Sequence, residues 1–221
     1  MFSIQDYFFL FAICAGLLIG GYIAPLTRRI EPGIHCSSYD TWLARIIVAL
    51  ALGAVIYFSE YSIEWIITIP FVVSLIMVSL TDIKIRIIPD IVTIPAILFT
   101  LIFRIWIHEL PYWNYLVAAF VAAGIFYLIA LISSMNGKES AVGGGDIKLL
   151  LLVGLVLGIK LTLLSFFLFS LIGFLFGLFI LLRGEFRRNV MIPFGPFIAG
   201  GALISIVING YLFSWFTELL I

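Results

Sequence analysis

Long apolar runs follow one another almost from end to end, broken only by short polar connections, and this limits the fold more than any other feature. About 20 apolar residues match a bilayer's hydrocarbon core when helical. Inside lipid the backbone must satisfy its own hydrogen bonds, which helices do. Hydrophobic residues make up 64% of the 221 and charged residues 11%, against about 25% charged in an ordinary soluble domain. Little chain is left for a separate soluble domain. The expectation is an all-α, polytopic membrane helix bundle. It forms one integral membrane domain over residues 1–221, with the lipid bilayer as its surroundings. Formal net charge is zero, so nothing argues for a nucleic-acid partner.

Hydropathy predicts eight transmembrane helices, over residues 7–24, 42–58, 64–81, 91–107, 113–133, 147–158, 161–182 and 197–217. The sixth is short for a span. It must either tilt into the protein interior or unwind partly at its glycines. With eight spans, the connections 25–41, 82–90, 134–146 and 183–196 share one face. That face collects Arg28, Arg29, Arg45, Lys84, Arg86, Lys138, Lys148, Arg183, Arg187 and Arg188, ten of the twelve basic residues; Arg104 and Lys160 fall opposite. Positive residues stay inside, so this face is expected in the cytoplasm with both termini outside. The start, Met1 to Asp6, lacks the basic segment of a cleaved signal, so the first run is expected to be a retained helix.

Cys14 and Cys36 are too few and too differently placed to suggest a disulfide, and with His35 and His108 they give no metal-ligand spacing. No metal site is expected.

Two carboxylates at the edges of apolar runs stand out, Asp82 and Asp146, 64 residues apart but on the same predicted face. A carboxylate beside hydrocarbon is costly and marks a function by default. Two brought together can share a proton and activate water. Asp146 follows Gly143, Gly144 and Gly145, whose bare backbone would let an extended substrate approach. The plainer reading makes Asp146 a helix cap. Asp90 reads as the N-cap of the fourth helix. Asp82 ends the third helix, where the dipole disfavours it and no cap offsets the cost. On that argument Asp146 ionises more readily and Asp82 holds its proton longer.

The segments Asp82 to Asp90, Gly143 to Asp146 and Ile192 to Phe197 stand in order along the chain. Together they resemble the type IV prepilin peptidases, intramembrane aspartyl proteases of the GxGD class. Gly20-Gly21-Tyr22-Ile23 with Arg28-Arg29 is loosely similar to the end of that family's first helix. The resemblance implies that Asp82 and Asp146 are the catalytic pair. It also implies that Gly143, Gly144, Gly145, Asp90, Lys148, Pro193, Phe194 and Gly195 bind substrate. The implied partners are prepilins or pseudopilins, cleaved at the cytoplasmic face of the plasma (inner) membrane. Asp90, Glu139, Glu31 or Asp40 would receive the basic leader. Proteolysis of this kind needs no cofactor. Many relatives carry a large cysteine-bearing domain after the first helix and also methylate the product. Here only residues 25–41 stand in that place. Two forms stay open: one that keeps methylation and binds S-adenosylmethionine, and one that only cleaves. A proton- or cation-coupled transporter is the rival reading, with carboxylates expected near the bilayer midplane.

Overall fold

The computed structural model describes residues 10–21, 38–58, 63–135, 143–183 and 193–219. All regular structure among them is helical: α1 (Leu10–Gly21), α2 (Ser38–Phe58), α3 (Trp65–Ile85), α4 (Asp90–Phe103), α5 (Tyr112–Met135), α6 (Gly144–Leu182) and α7 (Gly195–Leu219). Three of these, α3, α5 and α6, are long and apolar enough to cross a membrane.

Helix α6 is not one rod. Gly158 has φ 70° and ψ 177°, a region that side chains bar to nearly every residue but glycine. The two arms, 144–157 and 159–182, then run in opposite directions, as their contacts with α5 show. Ile159 N–H donates to Asn114 Oδ1 at 2.9 Å. From that point the first arm leads back to Gly154, which lies against the backbone of Ala118 and Ala119. The second arm passes the same helix again, with the Phe166 and Phe169 rings 5.4 and 6.0 Å from Phe126. Both arms thus leave Asn114 toward the same end of α5, which a straight helix could not do. The predicted sixth and seventh helices are therefore the two arms of α6, and the glycines before Asp146 lie at its start rather than in an unwound stretch.

Helix α3 is the centre of the bundle. It packs against α2, α4, α6 and α7, and 56% of its most apolar window is buried, against 11% for α6. Its Ile67, Phe71, Leu75 and Val78 join Leu149, Leu152, Val153 and Val156 of the first α6 arm and Ile198 and Ala202 of α7 in one core cluster. On its other side Val72, Ile76 and Met77 meet Val48, Leu52 and Val55 of α2 and Ala12 of α1. The outer surface carries Leu18, Phe120, Ile132, Phe167 and Phe174, each at least 60% exposed. A face this apolar belongs in lipid.

Two pairs of glycines spaced four apart, a pattern that often marks close helix packing, differ in their surroundings. Gly16 and Gly20 lie against the backbone of Ala49 and Arg45, so that pair marks close packing of α1 on α2. Gly173 and Gly177 do not mark such packing: Gly177 has nothing within 4 Å and Gly173 only a Phe197 ring atom at 3.8 Å. Pro70 and Pro95 sit inside α3 and α4, which continue through them.

Candidate active site

Helix α3 runs four residues past its predicted end, so Asp82 lies in its last turn rather than in a loop. It is 5% exposed. The helix stops because Arg86 turns left-handed (φ 56°, ψ 37°), with its N–H donating to the Asp82 carbonyl at 2.9 Å. This is a common helix ending, though glycine usually fills it. The turn sends Ile87, Ile88 and Pro89 toward α6. Ile88 then lands on Gly145, where a Cβ would lie 2.6 Å from the Ile88 side chain. Gly145 is thus a packing glycine. Gly143 and Gly144 are exposed, with open space beside Gly144.

Asp146 stands in the first turn of α6, half-buried. Its backbone N–H donates to Gly143 O at 3.1 Å, and Gly143 N–H donates back to its carboxylate at 3.3 Å. The capping reading of Asp146 is therefore met, without removing it from the site. Asp82 acts on it as a neighbouring like charge. Asp90 is the first residue of α4, with Pro89 at the cap position and no side-chain cap bond. The predicted N-cap role fails because its carboxylate is engaged elsewhere: Lys148 Nζ donates to it at 2.6 Å. Both partners are well exposed, at 42% and 55% of their side chains.

The third segment meets Asp82 directly. Gly195 N–H, at the start of α7, donates to Asp82 Oδ2 at 2.7 Å in a buried contact. The expectation that Asp82 has no compensating donor is overturned by this bond. It also undoes the argument from helix ends about which carboxylate ionises first, because each accepts one backbone amide. A Cβ on Gly195 would lie 2.9 Å from the same oxygen, so the site requires glycine there. Pro193 is half-buried beside it, and Phe194 is 44% exposed with its ring edge-on to Phe197. Glu31, His35, Cys36, Glu139 and Ile192 lie outside the described residues. Among the described residues no group of three or more histidine, cysteine or carboxylate side chains could hold a metal ion.

The opposite end of the bundle holds something that sequence reasoning missed. Arg104, with Lys160 one of the two basic residues assigned to the opposite face, is 2% exposed. Its guanidinium donates to Leu155 O at 3.1 Å, Val156 O at 2.5 Å, Ile107 O at 3.2 Å and the Glu64 carboxylate at 2.5 and 2.7 Å. It also lies 4.0 Å from the centre of the Tyr115 ring. An isolated arginine amid apolar residues was the available signal, since such a charge must find partners.

Fold and site together define a helical membrane protein that gathers two carboxylates at one end of its bundle. The chain belongs to the type IV leader peptidase family, whose description residues 69–178 match, and it is a peptidase. A Bacillus subtilis prepilin leader peptidase/N-methyltransferase is 31% identical over 185 residues, 84% of this chain and 73% of the relative. A protein of the same description from Pseudomonas putida is 28% identical over 196 residues, 86% of this chain and 64% of the relative. Another, from Aeromonas salmonicida, is 30% identical over 146 residues, 64% of this chain and 49% of the relative. The chain thus spans less than two thirds of the last two. No solved structure matches.

Proposed function

We propose that this peptidase removes the leader from type IV prepilins or pseudopilins at the cytoplasmic face of the plasma (inner) membrane, with Asp82 and Asp146 as the catalytic pair. The observation that carries the reading is the meeting of three remote segments at one end of the bundle. Gly195 holds Asp82, Ile88 rests on Gly145, and Asp90 pairs with Lys148 two residues beyond Asp146. In this reading residues 1–221 form one membrane domain that crosses the bilayer eight times with both termini outside.

The chemistry follows from two carboxylates sharing one proton. One takes a proton from water as the oxygen attacks the scissile carbonyl carbon. The other, protonated, hydrogen-bonds the carbonyl oxygen as negative charge develops there. The tetrahedral intermediate collapses, a proton passes to the departing amine, and the C–N bond breaks. The roles belong to the pair and are not divided further. Open backbone at Gly143 and Gly144 is where an extended substrate segment would lie. The Asp90–Lys148 pair stands where a basic leader would arrive, and a leader lysine or arginine can exchange with Lys148 at the Asp90 carboxylate. Phe194 and Pro193 offer an apolar edge to the start of the pilin helix.

A transporter reading needs a carboxylate near mid-bundle. The acidic residues placed by the described contacts, Glu64, Asp82, Asp90 and Asp146, stand at the two ends, which favours hydrolysis at a surface. The test is co-expression with candidate prepilins, comparing leader removal by the native protein, Asp82→Asn and Asp146→Asn. Persistent cleavage in either variant refutes the assignment. Mass spectrometry of the product N-terminus decides between the cleaving form and the form that also methylates with S-adenosylmethionine.

A further inference from the structure

We propose that Arg104 is a positioning residue for the aspartate pair, acting through the far ends of the helices that carry it. The inference rests on Asp82 and Asp146 being the catalytic pair. Glu64 immediately precedes α3, whose other end holds Asp82. Arg104 follows α4, whose other end holds Asp90. Leu155 and Val156 close the first arm of α6, whose other end holds Asp146 and Lys148. One guanidinium bonds to all three ends and lies against Tyr115 of a fourth helix.

This matters because of what holds helices together in lipid. Burying apolar surface gives little net drive between helices whose alternative neighbour is a lipid tail, so packing and polar contacts set their alignment. The core that joins these helices is built from leucine, isoleucine, valine, alanine and phenylalanine, with no polar side chain among them. Such surfaces resist sliding weakly. A slip of one residue moves a helix about 1.5 Å along its axis and turns it about 100°. Displacements near 1 Å at reacting groups can cost about 100-fold in rate. Arginine suits the task because its planar fork reaches several acceptors in fixed directions, which a lysine ammonium cannot copy. Its targets are also the carbonyls freed by the break at Gly158. Those carbonyls need donors in any case, and the arginine supplies them from a neighbouring helix. Depth and rotation of the Asp146 helix are thereby tied to α3 and α4.

The test uses the full chain in lipid nanodiscs, with Arg104→Lys, Arg104→Gln and Glu64→Gln, assayed on a cleaved prepilin. The expected result is a kcat lower by roughly 10- to 100-fold, with KM within about threefold, in protein that remains folded at the assay temperature. A readout that mere stability would not move is the distance across the site. Spin labels at Ile83 and Gly144, in a background with Cys14 and Cys36 replaced by serine, should give a narrow distribution in the native protein and a broader or shifted one in the variants. Unchanged kcat, or losses that follow only the unfolded fraction while the label distance stays native, overturns the proposal. If Arg104→Gln does not fold, the milder Arg104→Lys and Glu64→Gln decide by the same criteria. Should the native protein cleave no prepilin, the substrate reading fails, and the label distances still judge the clamp.

Discussion

Replacing Gly195 by alanine is the sharpest perturbation of the site. The new Cβ would lie 2.9 Å from Asp82 Oδ2, 3.1 Å from its Cβ and 3.2 Å from its Cγ. Ordinary contact between such atoms needs about 3.5 Å, so the carboxylate must withdraw by roughly half an ångström. Withdrawal stretches the 2.7 Å bond from Gly195 N–H beyond useful length. A hydrogen bond to a charged group is worth about 1.5–3 kcal/mol, or roughly 10- to 100-fold in rate if it is needed in the transition state. The lost bond also costs folding stability of similar size, and the helix propensity of alanine offsets it only in part, because Gly195 is the first residue of α7. The control is Gly124→Ala in α5, since Gly124 has nothing within 4 Å and no place in the site. The assay is leader removal by purified protein in nanodiscs, followed by gel shift, with thermal unfolding measured in parallel. Gly195→Ala should lose activity while remaining folded at the assay temperature, and Gly124→Ala should lose much less. Equal activity in the two variants would refute the reasoning, because the clash would then not be felt at Asp82.

Asp82→Asn and Asp146→Asn should each lower cleavage by roughly 100- to 10,000-fold while membrane yield stays native, read by immunoblot of leader-bearing and mature pilin. Gly158→Ala should destabilise the protein by about 1–3 kcal/mol, since φ 70° is barred to alanine and its Cβ would meet Asn114 Oδ1 at 2.7 Å; thermal unfolding measures this. Asp90→Asn should change stability by less than about 1 kcal/mol, because its ion pair with Lys148 is exposed. It should nonetheless raise KM for a leader with lysine or arginine and leave it unchanged for a leader in which those are neutralised.

What the sequence made legible follows from the range over which each interaction acts. Helices are local, and apolar runs announce them; every predicted segment has a helical counterpart, including the two arms of α6. Boundaries were less legible where polar residues continue a helix. Asp82 and Lys84 look like a loop, yet the helix reaches Ile85 because only Arg86 leaves helical conformation. The site was legible as residues but not as contacts. Nothing near Asp82 in the chain reveals that its donor is Gly195, 113 positions away, or that Asp90 abandons a cap for Lys148, 58 positions away. Arg104 shows the same limit at its strongest. Local counting made it a minority charge on the far face, whereas partners 40 and 51 positions away make it one of the most buried side chains. In a bundle whose helices meet through interchangeable apolar surface, the few polar side chains fix alignment. Those contacts reach furthest along the chain, so they are the ones local pattern cannot display.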